Sequence, residues 1–131
     1  MPAYNFKGQF AGMVVDGTKP HTIRKRRKRP TVVGDTLHLY TGMRQKGCRR
    51  LREPLPCIAV TPIEIVQSAI VYLDGKFLSL AEIEALARRD GFRGIHPQLE
   101  FFEFFRSTYG EVFEGELIEW KPTNANRRSL L

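Results

Sequence analysis

Six adjacent cations, Arg24-Lys25-Arg26-Arg27-Lys28-Arg29, are the densest concentration of reactive chemistry in this 131-residue chain. Such a run has three readings: an arm that tracks phosphates and releases their counterions, a localisation signal, or a solvated loop. We take phosphate tracking as the working reading. Like charges at this density cannot pack together, so the run is expected as an exposed, mobile loop closed by Pro30. Arg24 at its head suits an anion, because a guanidinium grips phosphate with two parallel hydrogen bonds. A second basic loop carries Arg44, Lys46, Arg49 and Arg50 among Gly42, Gly47 and Pro54. The rings of Tyr40 and Trp120 can stack on an unstacked base or fill a core. His21 and His38 titrate near neutrality and are read as incidental, since nothing pairs them with a metal-ligand cluster.

The charge is unevenly spread. Residues 1–60 hold thirteen Lys and Arg against three acids, and the remainder holds eight against eleven, within a total of +7. A basic half and an acidic half make a directional field and point to a polyanionic partner. Cys48 and Cys57 form no C-x-x-C pair, so two free thiols in a reducing compartment are expected and no zinc site. No metal or other cofactor is expected. No apolar stretch reaches the length of a membrane helix, and the first residues lack a signal-peptide core. A cytoplasmic protein without a membrane partner is the expectation. The oligomeric state is not legible.

The length suits one domain. Phe10–Val15 predicts a short helix stopped at Asp16-Gly17. Pro20 makes the following segment extended or looped. Leu37 and Leu39 alternate with polar neighbours over Thr36–Tyr40, the pattern of a half-buried strand. Cys57 to Val71 reads as one or two strands, with Pro62 at an edge or break. Asp74-Gly75 is a hairpin turn between Ile70–Leu73 and Lys76–Leu78. Ser79 and Glu82 spell a capping box for a helix to about Arg89, with Leu80, Ile83, Leu86 and Ala87 inward. Pro97 opens a second helix, whose buried stripe is expected at Leu99, Phe102 and Phe105. Gly115–Trp120 predicts the closing strand, and 122–131 a basic tail. Short strands with few helices fit a small closed barrel, although periodicity also allows an open α+β sheet.

Taken together, several motifs resemble the ASCH family. They are Lys19-x-x-Thr22-Ile23-Arg24, then Val33-Gly34-Asp35-Thr36-Leu37, then Leu86–Phe92, an aromatic-rich helix, and Gly115–Trp120. The resemblance covers roughly residues 5–121. It implies an α+β, PUA-like small pseudobarrel with two to three flanking helices, spanning 1–121, with a cleft beside it. Its members work on RNA or nucleosides and occur also in phages and prophages. Some small bacterial members are amidohydrolases of N4-acetylcytidine, and others have been assigned ribonuclease activity. The residues of the amidohydrolase subgroup are a lysine, a threonine and a glutamate. Lys19 and Thr22 match the first two, while Asp90 stands where the glutamate falls, one methylene shorter.

What the resemblance implies is chemically coherent. A threonine hydroxyl is a weak nucleophile until a base activates it, so Thr22 serves as nucleophile or water-positioner. Lysine in a desolvated, cationic cleft loses affinity for its proton, so Lys19 serves as base or oxyanion partner. Asp90 relays a proton if it lies within hydrogen-bond reach. The blander roles are a turn-bonding threonine, a solvated lysine and a helix-terminating aspartate. Three functions follow. The first is binding of RNA or a modified nucleoside with hydrolysis of an acylated cytidine. The second is an RNA-binding module without turnover, and the third a ribonuclease using the same cleft.

Overall fold

The computed structural model describes residues 2–121. The tail expected over 122–131 lies outside the described residues. The elements run β1 (Ala3–Phe6), α1 (Gly8–Asp16), β2 (His21–Arg24), β3 (Thr36–Thr41), β4 (Arg49–Arg50), β5 (Leu55–Pro56), β6 (Ala59–Val66), β7 (Ile70–Leu73), β8 (Lys76–Phe77), α2 (Leu80–Asp90), α3 (Pro97–Tyr109) and β9 (Val112–Glu119). The result is a small α+β domain.

The strands form two sheets that do not close into a barrel. One has the order β1-β3-β4, with β5 also on β3, and the other β2-β9-β6-β7-β8. β1 runs parallel to β3 and the remaining pairs are antiparallel. The expectation of a closed barrel is therefore corrected. Closure is one way to remove a sheet edge, and a very short edge strand is another. The two-residue β8 takes that second route. One hydrophobic cluster joins the layers, with Tyr4 and Leu39 from one sheet, Ile65 and Leu117 from the other, and Val14, Leu86 and Phe101 from the helices.

Local signals explain most elements. Ser79 and Glu82 cap each other's backbone, completing the capping box of α2. Pro97 stands in the first turn of α3. Asp74 and Gly75 both have positive φ, 55° and 76°, as a primed hairpin turn requires. Three expectations shift. Leu80 and Leu99 are exposed at 73% and 62%, while Phe101 is fully buried. Each exposed leucine lies in the first turn of its helix, away from the cluster. Pro62 lies inside β6, flanked by β9 and β7, rather than on an outer strand. Pairing with β7 begins only at Ile63, opposite Leu73. Along a strand the N and O of one residue face the same way, and the Pro62 carbonyl accepts from Asp74 N–H in the β7–β8 turn. The missing donor thus costs no ladder bond. Cys48 and Cys57 are both free thiols. No described helix is long and apolar enough to cross a membrane.

Candidate functional site

β2 carries the core of the site. Its residues pair with the end of β9, His21 opposite Glu119 and Arg24 opposite Glu116. The segment leading into it is tied down from several sides. Gly17 ends α1 in the left-handed region at φ 83°. Lys19 N–H donates to Met13 O at 3.0 Å, and Trp120 N–H to Pro20 O at 3.1 Å. Arg93 donates to Thr18 O and Lys121 to Gly17 O. Lys19 is thereby fixed before its side chain makes any contact.

Asp90 arrives from the opposite direction, as the last residue of α2. Gly91 follows at φ 114°, and Phe10 lies so close that a Cβ there would sit 2.7 Å from its ring. Glycine alone permits this approach, which presses α1 against the end of α2. Lys19 Nζ then donates to Asp90 Oδ1 at 2.8 Å and to the Asp90 carbonyl at 2.6 Å. The second bond caps the helix, whose C-terminal carbonyls otherwise lack partners and favour a cation. His21 Nε2 lies 3.1 Å from the same Oδ1. Lys19, His21 and Asp90 are all buried, at 3%, 0% and 5% exposure.

Burial pushes the Asp90 carboxyl up. The Lys19 charge and the His21 and Lys19 hydrogen bonds outweigh it and hold the group well below the usual carboxylate range. Burial lowers Lys19 against the opposing pull of Asp90. Burial likewise lowers His21, although Asp90 favours its charged form. The imidazole is thus neutral, donates Nε2–H to the carboxylate, and leaves Nδ1 unprotonated. Nδ1 is buried without a partner among the described residues. His21, read from the sequence as incidental, thus touches Asp90, although it does not line the cavity that Lys19, Thr22 and Asp90 share. Its signal was its place two residues from Lys19 and one from Thr22, but nothing in the chain pointed from position 21 to position 90.

Lys19, Thr22, Arg24 and Asp90 line one cavity of about 250 Å³, together with Asn5, Lys7 and the rings of Phe6, Phe10, Phe104, Phe105 and Tyr109. The Thr22 hydroxyl accepts Arg24 Nε–H at 2.9 Å, and Arg24 also donates to Asn5 O. Its guanidinium lies 5.2 Å from the Phe6 centroid and 5.4 Å from that of Tyr4. Lys19 sits 5.0 Å from the Phe10 centroid. Both Asp90 side-chain bonds use Oδ1, and two of three Lys19 donors are engaged. Among the described residues, Asp90 Oδ2 and one Lys19 N–H have no hydrogen-bond partner.

No family model, curated protein or solved structure matches this chain. The site accordingly stands on its own geometry.

Of the remaining sequence-derived candidates, Lys25 does not line the cavity and is exposed, with its amine 5.5 Å from the centroid of the cavity-lining Tyr109. Arg26 is exposed. Arg27, Lys28 and Arg29 line a second, wider concavity of about 1110 Å³. Arg27 is exposed, as expected of the arm, and lies 3.9 Å from the Tyr4 centroid while donating to Ala3 O. Arg44, Lys46, Arg49, Arg50 and Tyr40 do not reach the cavity. Tyr40 pairs between Asn5 and Arg50 in the first sheet, and Arg50 meets Glu53 at 3.0 Å. Trp120 is buried edge-on to Phe6 and has no face for a base. Among the described residues no group of His, Cys, Asp and Glu could hold a metal ion.

Proposed function

We propose that this is an ASCH-type, PUA-like protein whose cavity receives the base of a modified cytidine and hydrolyses its N4-acyl amide. The observation carrying this reading is the 2.8 Å contact between Lys19 and Asp90, 71 positions apart, in a cavity shared with Thr22 and Arg24. A buried cation, a buried carboxylate and a hydroxyl are the parts that amide hydrolysis needs. The order of sequence motifs supports the family reading.

In this scheme water adds to the acyl carbonyl and the carbon–nitrogen bond breaks, giving a carboxylic acid and the exocyclic amine of cytidine. The free Lys19 N–H faces the developing oxyanion, where a desolvated charge contributes most. Of the two roles open to Lys19, its bond to a carboxylate favours oxyanion partner over base. The Thr22 oxygen already accepts from Arg24, so its own proton is left to donate, which favours positioning water over attacking. Held well below the usual carboxylate range, Asp90 is a weak base, so Oδ2 orients the attacking water and relays its proton to the departing nitrogen only as the carbon–nitrogen bond breaks.

The test is incubation with N4-acetylcytidine and, separately, with short RNA, each followed by chromatography. Free cytidine, lost in Lys19→Ala and Thr22→Ala, is the expected result. Turnover indifferent to both changes overturns the assignment of the site. A second reading, RNA binding without turnover, is favoured by the exposed run Lys25–Arg29 that directly follows the cavity-lining Arg24. It predicts salt-sensitive binding of uncut RNA. Cleaved RNA instead indicates a ribonuclease.

A further inference from the structure

We propose that the base enters this cavity as part of a single-stranded polynucleotide, whose flanking phosphates run from Arg24 across Arg27 to Lys28 and Arg29. This rests on the cavity being a base site and goes on to name the form in which the base arrives.

The cavity comes first. At about 250 Å³ it falls below the range of sites that enclose a drug-sized ligand, roughly 300–1,000 Å³. It has room for one base-sized ring, and the sugar and phosphates stay outside. Aromatic rings form part of its wall beside the polar groups, and a base can enter so small a cavity only after leaving its stack and its pair. A single strand meets that requirement at least cost.

The route outward comes next. Arg24 and Arg27 lie against the same ring, 5.4 Å and 3.9 Å from the Tyr4 centroid. Their guanidinium carbons are thus at most the sum of those distances apart, a span that neighbouring phosphates of one strand can bridge. Each arginine is also held by a β1 carbonyl, Asn5 for Arg24 and Ala3 for Arg27. Tyr4 itself is pinned by its hydroxyl to Thr31 at 2.5 Å. Contacts within the chain thus set the pair side by side, and such preorganisation reduces the entropy lost on binding.

Beyond Arg27 the wider concavity opens, lined by Lys28, Arg29, Thr31 and Thr36. Its one acid, Asp35, has Oδ2 occupied by Val32 N–H. A free nucleoside has no use for this second basin. A strand threaded past Arg24 reaches it.

The experiment compares the full chain with a Lys28→Ala/Arg29→Ala variant, two exposed residues with no side-chain hydrogen bond among the described residues. Binding of a short labelled single-stranded RNA, and of its DNA counterpart, is followed by fluorescence anisotropy over a salt series. Free N4-acetylcytidine binding is measured by competition. The expected result is an oligonucleotide at least tenfold tighter than the nucleoside at low salt. In the variant, its salt slope should fall by about 1.4, the loss of two single-strand phosphate contacts, with nucleoside affinity unchanged. Tight binding of either strand type supports the inference. An oligonucleotide no tighter than the nucleoside, or unaffected by the double change, overturns it and leaves the cavity assignment standing. If the nucleoside neither binds nor turns over, the cavity assignment fails, and the variant's salt slope still decides the phosphate path.

Discussion

Replacing Asp90 by Asn removes one charge and almost no volume, and so isolates the electrostatics of the buried pair. Lys19 would keep an amide oxygen and the helix carbonyl but lose its one carboxylate contact among the described residues, at 2.8 Å. Breaking a buried pair by removing one partner costs about 3–5 kcal/mol, and the surviving acceptors place this variant near the lower end. At about 2.1 cal/mol/K per residue, 131 residues give a transition in which each kcal/mol shifts Tm by about 3.6 °C. The expected loss is therefore roughly 11 °C. The pH dependence gives a second readout. Without the Asp90 charge, the remaining neutral acceptors offset less of the burial that lowers Lys19's proton affinity. The folded variant then sheds that proton at a lower pH than the unfolded chain does, and stability rises with pH across the interval between. Thermal melts at pH 6 and pH 9 should show a deficit against wild type that shrinks at the higher pH. A Tm within about 2 °C of wild type at both pH values would refute the argument that these charges depend on each other.

Three further outcomes are expected. His21 is held below its ordinary value of 6.5 by burial, against the opposing charge of Asp90 and with Lys19 and Arg89 adding to the effect. The unfolded chain thus gains a proton that the folded chain refuses, and stability falls as pH drops below about 6.5. His21→Phe should flatten that arm in urea titrations between pH 5 and 7.5, and an unchanged slope would count against it. The lowered Asp90 adds a separate loss as pH falls below its ordinary 3.8. Gly91→Ala would place a methyl 2.7 Å from Phe10 at φ 114°, costing about 2–4 kcal/mol by denaturant midpoint. Ser79→Ala should cost about 1 kcal/mol in the same assay, because it frees the Glu82 N–H that the hydroxyl now holds.

Signals carried by neighbouring residues were legible in the chain. The Ser79–Glu82 box, the Asp74-Gly75 turn and Pro97 each act over three or four positions, and each element appears where expected. The alternation of Tyr4 and Phe6 around exposed Asn5 marks β1 in the same way, but it was not read as a strand. Contacts across long separations were not legible. No local pattern says that β3 pairs with β1 in parallel, or that the two sheets stay open. The Lys19–Asp90 contact was anticipated only through the family resemblance, since an aspartate before glycine at a helix end has an ordinary local explanation. The basic segments show the same divide. Their composition marks both as cationic, yet only the first lies beside the cavity, because β2 leads into it while the second is carried off by β3 and β4.

The site-bearing strand β2 occupies the edge of its sheet, and its one ladder partner among the described residues is β9, made some ninety residues later. A ribosome adds roughly 5–20 residues each second, so the cationic segment emerges several seconds before the strand that will hold it in place. Through that interval the nascent polypeptide displays bare positive charge and has no working pocket. Newly made chains are thus exposed to indiscriminate capture by nearby polyanions, and selective recognition begins only after β9 has left the exit tunnel.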